Sequence, residues 1–238
     1  MTSPAERGLG NRFIGTLPPG ERKLVMAECQ AVEQLASEVL YNVGDEIDFL
    51  YFPNGSVISL VTEMEDGRMV EAGTVGLEGI VGLQRFLGTH RSAHRVVVQV
   101  PGKAARMPSN RLEPLLSNAP VLRARFARFA DAMMVMMSQS AACIALHPVH
   151  ERCARWLLHT ADRTGSNAFR LTHEFLAAML GVHRPTVTIA AGMLQQAGLI
   201  EYHRGRVEIV DQRGLLAASC ECYGVIARAF ERAIEPLD

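Results

Sequence analysis

The stretch LTHEFLAAMLGVHRPTVTIAAGMLQQAGLIEYHRGRVEIVD (171–211) most constrains what this chain can fold into. Its first part carries apolar residues at helical spacing, with Thr172 in position to cap the helix start and Gly181 at its end. A second apolar stripe at i, i+3, i+4 and i+7 begins at Val187. A proline costs about 3 kcal/mol inside a helix but little in its first turn, so Pro185 predicts a helix starting at roughly His183–Arg184. Two helices joined by a tight glycine-containing turn indicate a helix-turn-helix.

A period-two alternation continues on both sides of Arg204-Gly205 and predicts a β-hairpin. Helix, turn, helix and hairpin together are typical of a winged helix-turn-helix, in which the start of the second helix enters the DNA major groove. Short helix pairs with a glycine turn also occur in proteins that do not bind DNA. The hairpin directly behind the second helix is what favours DNA binding.

Composition and charge set wider limits on function. The chain has 238 residues, enough for two domains or one large one, and is 48% hydrophobic. We find no apolar run near 18 residues and no apolar signal core in MTSPAERGLG, so we expect a cytoplasmic protein without a membrane span. The net charge is −1, and 166–213 holds five arginines against four acids. Charge alone therefore does not indicate nucleic-acid binding, although hydroxyls, backbone N–H groups and helix N-termini also contact phosphates.

The five cysteines are scattered and odd in number, which suits a reducing compartment. Cys220-Glu-Cys222 is too close-spaced and too isolated to predict a metal site. We therefore expect structural cysteines, no bound metal and no cofactor. Cys143 and Cys153 flank the expected hinge between domains, so a response to thiol oxidation is kept as an alternative.

Changes in the pattern of apolar residues and glycines divide the rest of the chain into helical and β-rich segments. Residues 13–40 look helical, and short β-rich runs punctuated by glycine extend from Val39 to about Met107, which predicts a small all-β barrel or roll. After the second helix of the helix-turn-helix and its hairpin, LLAASCECYGVIARAFERAI predicts a C-terminal helix that packs on its own domain or on a partner. VHERCARWLLHTADRTG predicts a further helix leading into the helix-turn-helix.

A long helix with a heptad seam is expected from Pro120 to near His147-Pro148. Residues spaced alternately four and three apart form this seam: Leu122, Phe126, Phe129, Met133, Met136, Ser140 and Cys143. Two apolar positions in every seven favour a partner helix, and we expect a parallel homodimer through this seam. The alternative is that the helix packs on its own β domain.

The expected fold class is α+β, in three parts. Residues 1–118 form a β-roll, a jelly roll like those that bind cyclic nucleotides, 119–146 form the dimerisation helix, and 147–238 form the winged helix-turn-helix. This order resembles the Crp/Fnr superfamily of bacterial transcription regulators. The resemblance covers roughly 13–214 and is most specific at 171–211, in Leu-Thr before the first helix, Gly-Val at the turn, Arg-x-Thr-Val in the second helix and Leu-x-x-x-Gly-Leu-Ile before the wing.

The resemblance implies a dimeric regulator that binds an inverted repeat in double-stranded DNA, with RNA polymerase as a further partner. The family's first base-contacting arginine falls on Arg184, whereas its glutamate falls on Pro185 and its second arginine on Ile189. We expect Arg184 to form hydrogen bonds with the edge of a guanine. We expect Thr188 and Ile189 to contact thymine methyl groups. The two arginines of the wing, Arg204 and Arg206, are expected to contact phosphates. The full set of residues expected to contact DNA is Thr172, His173, His183, Arg184, Pro185, Thr186, Thr188, Ile189, Arg204 and Arg206.

The effector pocket departs from the family members that bind cyclic nucleotides. Those members place Gly-Glu before an Arg-Ser/Thr-Ala cassette, and their glutamate takes the ribose hydroxyl. Here Arg91-Ser92-Ala93 is present, but Gly82 is followed by Leu83. The two hydroxyl residues that touch the purine align with Met137 and Ser138, so only one is retained. A buried hydroxyl without its acceptor is costly, and we expect no response to cyclic AMP. A cyclic-nucleotide- or redox-responsive member of the same family is the alternative.

An enzyme is the competing class of function. A metal-dependent barrel of the cupin type would need a His-x-His pair with further ligands on facing strands. His90 and His94 are four apart in an expected loop, and no Ser-His-Asp set, P-loop or dinucleotide fingerprint is found. Haem ligation by these histidines or by His147 is a weaker interpretation than ordinary solvated histidines. The family's N-terminal iron–sulfur cysteines are missing, since only Cys29 precedes residue 143. We expect that the protein is not an enzyme.

Overall fold

The computed structural model describes residues 10–235 and begins with two short helices and a β-roll. The helices are α1 (Arg12–Gly15) and α2 (Pro19–Ala27). The strands are β1 (Gln30–Gln34), β2 (Val39–Tyr41), β3 (Phe49–Asn54), β4 (Val57–Glu63), β5 (Met69–Val75), β6 (Arg95–Val100) and β7 (Gly102–Pro108). They form two antiparallel sheets ordered β1-β7-β3 and β2-β6-β4-β5. The expected roll is confirmed. The expected helical content of 13–40 is wrong beyond Ala27, because Gln30–Gln34 pairs with β7.

The second half is helical except for one small sheet. Its elements are α3 (Leu112–Leu116), α4 (Pro120–Leu146), α5 (Val149–Thr164), β8 (Ala168–Arg170), α6 (His173–Leu180), α7 (Arg184–Gln196), β9 (Ile200–His203), β10 (Arg206–Ile209), α8 (Gln212–Ala217) and α9 (Cys222–Ile234). The three strands are ordered β8-β10-β9. These elements confirm the long helix, the helix after it, the helix-turn-helix and the wing.

The expected single C-terminal helix is instead two, α8 and α9, separated by a turn at 218–221. Cys220 and Cys222 are both buried in one cluster with Cys143. Residues two apart in a continuous α-helix point in nearly opposite directions, so both thiols could not face the same neighbour there. The turn lets both of them do so.

The first hydrophobic core joins the roll, α4 and α9. The ring of Phe13 meets Phe126 edge-on at 5.2 Å between centroids, and Phe129 lies 5.7 Å from Phe230 of α9. The buried side chain of Arg125 caps the C-terminal end of α9, because its Nη1 donates hydrogen bonds to the carbonyls of Ala233 and Glu235 at 2.9 Å each. These carbonyls have no partner within the helix, and a guanidinium also complements the negative end of the helix dipole.

The α4 seam is therefore buried within one chain, and the expectation that it forms the dimer interface is corrected. Its seven residues are at most 7% exposed: Leu122, Phe126, Phe129, Met133, Met136, Ser140 and Cys143. The physical reason is that α9 and β5 already pack against this helix. The sequence-based alternative, that the helix packs on its own β domain, is confirmed for β5, but α9 of the C-terminal part covers the seam as well.

The apolar character of α4 also meets a test for membrane spans. Among the described residues, this one helix is long and apolar enough to cross a membrane by length and composition alone. The expectation that the chain contains no apolar run of this length is therefore corrected. The buried seam accounts for one apolar face of α4.

The second core belongs to the helix-turn-helix domain but includes Val57 and Val61 of the roll. A buried ion pair strengthens this contact, with Arg163 Nε 2.8 Å from Glu78 Oε1 and both side chains under a tenth exposed. The domain is therefore seated directly on the β-roll.

Candidate nucleic-acid interface

The helix-turn-helix is built by local signals that act as expected. Thr172 caps α6 by accepting a hydrogen bond from the backbone N–H of Phe175 at 3.1 Å. Gly181 ends that helix with φ of 64°, a left-handed conformation that favours glycine. Pro185 lies in the first turn of α7, where no hydrogen bond is lost. The predicted stripe on α7 faces the core: Val187, Ala190, Ala191 and Leu194.

The opposite face of α7 is open to solvent at its N-terminal end. Its exposed side chains include Arg184, Pro185, Thr186, Thr188 and Ile189. Ile189 is 67% exposed, which leaves its apolar side chain accessible, although a single exposed isoleucine is not a patch. The guanidinium of Arg184 lies 4.0 Å from the carboxylate of Glu174, with both side chains mostly exposed. Such a pair contributes little, so Arg184 can exchange it for another acceptor.

Thr188 is positioned by His173. The hydroxyl of Thr188 donates to the carbonyl of Arg184 at 3.1 Å, and it lies 3.0 Å from Nδ1 of His173. Since that single hydroxyl proton is already used, Nδ1 must carry the proton donated to Thr188. Burial, and then the charge of Arg184, lower the pKa of His173, which favours the neutral ring. The hydroxyl is thus engaged inside the protein, and the methyl group is the part of Thr188 left for an outside contact.

The wing presents a row of basic side chains. Its two turn residues, Arg204 and Gly205, have φ of 46° and 75°, as the tight hairpin turn requires. Arg206 of β10 is paired in register with His203 on one side and with Arg170 on the other. Directly paired residues share a face of the sheet, so three basic side chains lie in one row. The sequence analysis did not predict Arg170 as a DNA-contacting residue, because β8 has only three residues and gives too short a pattern to predict a strand. The apolar Phe169 beside it was the one indication of that strand.

The residues of the expected effector pocket have other partners. The side chain of Arg91 is 68% exposed, donates to the carbonyl of Gly44 at 2.7 Å and lies 3.9 Å from the carboxylate of Glu46. Ser92 is buried and donates to the carbonyl of His94. Ala93 is exposed, as is Ser138 on α4.

Gly82 and Leu83 lie at the start of a short 3-10 turn, and a Cβ on Gly82 would come within 3.2 Å of Ile47 and of the Phe49 carbonyl. Met137 packs at the edge of the first core.

A cluster of potential metal ligands lies where α4 meets α9. The thiols of Cys143, Cys220 and Cys222 and the imidazole of His147 have ligand atoms within 4.8 Å of one another. The interpretation of Cys220-Glu-Cys222 as isolated is therefore wrong. The hydrogen bond from Cys220 lowers the pKa of Cys143 against the effect of burial. Cys153 is not part of this cluster; burial in the second core raises the pKa of its thiol to about 12.

Comparison with known proteins agrees with this geometry. Residues 151–218 match the family model of the Crp-like helix-turn-helix domain. The electron transport regulator A of Shewanella oneidensis is 24% identical over 187 residues, which is 75% of this chain and 74% of that protein. Among solved structures, FixK2 from Bradyrhizobium japonicum is similar with a TM-score of 0.69 at 13% identity, over 81% of this chain and 98% of that one.

A second solved structure is the cyclic-di-GMP-responsive global regulator CLP from Xanthomonas campestris. Its TM-score is 0.66 at 18% identity, over 81% of this chain and 99% of that one. Residues 151–218 are therefore similar to the Crp-like helix-turn-helix domain, and the chain has the fold of these solved structures.

Proposed function

We propose that the protein is a sequence-specific transcription regulator of the Crp/Fnr type, active in the cytoplasm on double-stranded DNA. The observation that carries this proposal is the pairing of two exposed surfaces: the N-terminal face of α7 and the basic row of the wing. The first has the size and shape to enter a major groove, and the second has the charge to hold the flanking phosphates. It is not an enzyme, and RNA polymerase is a further partner.

Only a few side chains of α7 recognise the DNA bases. Arg184 bonds the edge of one guanine, a contact that contributes about 1–3 kcal/mol of discrimination. Thr188 offers a methyl group and Ile189 an apolar side chain, both suited to a thymine methyl. Because Pro185 and Ile189 replace polar family residues, the half-site differs from that of regulators that carry Arg, Glu and Arg at these positions.

The active form is a homodimer through the exposed face of α4. This face carries a second seam, spaced three and four residues apart: Ala127, Ala130, Met134, Met137, Ala141 and Ile144. Met134 is 68% and Ile144 43% exposed, and the alanines let two backbones approach closely. In such a two-fold dimer we expect the two recognition helices to enter successive major grooves, which lie about 34 Å apart. The site is then an inverted repeat with half-site centres roughly 10 base pairs apart, or a multiple of that.

Cyclic AMP is not the effector. Leu83 offers no carboxylate for a ribose hydroxyl, and the guanidinium of Arg91 is mostly exposed and donates to the carbonyl of Gly44. Gly82, Ser92 and Ala93 are retained from the family cassette, and Met137 is partly buried between the first core and the second seam.

Genomic footprinting of the tagged protein in its host tests this function. The expected result is a set of occupied sites that share an inverted repeat. Arg184→Ala should occupy those sites less and lose the preference for one base in each half-site, whereas the matched control Arg111→Ala, an exposed arginine paired with Glu28 on the roll, should keep both. Absence of a shared motif, or full occupancy by the Arg184 variant, would contradict the proposal.

A further inference from the structure

The thiol–imidazole cluster joins two segments that are far apart in the sequence. Cys143 and His147 lie one helical turn apart at the end of α4, so both side chains face the same way. Cys220 lies in the turn before α9, and Cys222 is the first residue of that helix. The three cysteines are at most 3% exposed and form a hydrophobic cluster separate from both cores.

The distances between ligand atoms suit a single tetrahedral ion. The Sγ atoms of Cys143 and Cys220 are 3.5 Å apart, and Sγ of Cys222 is 3.5 Å from Nδ1 of His147. Around one zinc ion, bonds of about 2.3 Å to sulfur and about 2.0 Å to nitrogen place two sulfurs about 3.8 Å apart and a sulfur and a nitrogen about 3.5 Å apart. Small side-chain adjustments are enough to reach that arrangement. Three thiolates and one imidazole are a set that selects zinc among the common divalent ions.

The surroundings are those of a metal site. His147 would bind through Nδ1, because its Nε2 lies 3.0 Å from the carboxylate of Glu221, the outer partner that orients metal-bound histidines. The amide of Gln139 donates to Sγ of Cys222 at 3.1 Å. Zinc with three thiolates and a neutral imidazole carries about one net negative charge. Arg155, nine-tenths buried with an Nε that has no hydrogen-bond partner, interacts electrostatically with Cys143 and offsets that charge.

We propose that Cys143, His147, Cys220 and Cys222 bind one zinc ion in a closed four-coordinate site. Zinc displaces the thiol protons when it binds. All four positions are filled by the protein, so the ion has no open position for substrate and its role is structural. It fastens the start of α9 to the end of α4, directly before the link from α4 to α5. Metal occupancy therefore sets how the helix-turn-helix domain is attached to the long helix.

Metal content and cobalt spectroscopy of the full chain test the site. The protein is expressed in zinc-supplemented medium, its affinity tag is removed, and zinc per chain is measured by elemental analysis. We expect about one zinc per chain in the wild type and in the matched control Cys29→Ser, a cysteine of the roll. Cys143→Ser and Cys222→Ser should retain at least tenfold less. Because those variants could also unfold, wild-type protein stripped of metal is titrated with Co²⁺, which should give the absorption bands of tetrahedral cobalt with thiolate ligands.

Three results would overturn the proposal. The first is reduced wild-type protein that holds no metal and gives no cobalt bands. The second is iron with acid-labile sulfide, which indicates a multinuclear cluster. The third is a Cys143–Cys220 disulfide in protein purified anaerobically with reductant. None of these measurements involves DNA, so the result is independent of the proposed function.

Discussion

The indole Nε1 of Trp156 donates a hydrogen bond to the carboxylate of Glu71 at 3.1 Å, across the boundary between the helix-turn-helix domain and the β-roll. The other carboxylate oxygen accepts from the hydroxyl of Ser59 at 2.8 Å. Burial raises the pKa of Glu71 to about 7, although both hydrogen bonds and the charges of Arg155 and Arg163 act in the opposite direction. This domain contact is therefore sensitive to pH near neutrality.

Glu71→Gln should remove part of the pH dependence of stability. The folded-state pKa is above the ordinary value of 4.5, so the folded protein binds the proton more tightly. The stabilisation is fully present below about pH 4.5 and is lost as the pH rises through about 7. Thermal denaturation between pH 5 and 8 should show a steeper fall in Tm for the wild type than for this variant. The exposed control Glu65→Gln should follow the wild type; equal slopes for all three would refute the role of Glu71.

Arg184→Ala should relax sequence preference at one base position in each half-site. The loss of discrimination should be about 1–3 kcal/mol, as for other arginine–guanine contacts. Fluorescence anisotropy with the site identified by footprinting, and with each single-base variant of it, measures this. Glu174→Gln removes only the weak ion pair and should leave the preference intact. Unchanged affinity and preference in the arginine variant would mean that α7 is not the recognition helix.

Arg206→Ala and Arg170→Ala should weaken binding to every sequence alike. Each lost phosphate contact should also reduce the slope of log K against log salt by about 0.9. Titrations at several salt concentrations, on specific and unrelated duplexes, measure both effects, with Arg111→Ala as control. A change confined to one base position would instead assign these residues to base reading.

Met134→Glu and Ala141→Glu should give folded monomers, because each places a charge in the exposed seam of α4 without disturbing either core. Phe129→Glu should unfold the protein, since Phe129 is fully buried within one chain. Sedimentation at micromolar concentration, together with circular dichroism, separates the two outcomes. A wild-type monomer would exclude the dimer.

Cyclic AMP should show no binding at micromolar concentration in calorimetry, because the ribose has no carboxylate partner at Leu83. Micromolar affinity that is lost in Arg91→Ala would show that the Arg91-Ser92-Ala93 cassette is functional after all.

The helix-turn-helix could be predicted because its signals are local. Thr172 caps α6 by accepting a hydrogen bond from the backbone N–H three positions ahead, and Pro185 determines the start of its own helix. The spacing within α4 identified its buried side, but it does not show what covers that side, because Phe230 of α9 lies about a hundred residues away. The same applies to Cys143 and Cys220, whose separation in the sequence hides their contact.

The part of the chain that is translated last, α9, completes the core of a part that is translated earlier. Phe129 and Arg125 lie on α4, which is translated before the helix-turn-helix, yet both are covered by α9, which is translated after it. While the ribosome is still adding α9, the roll and α4 therefore carry an uncovered apolar groove. A premature stop codon after residue 218 would leave the DNA-reading elements complete but would expose this groove, and the damage would fall on the part of the protein made first.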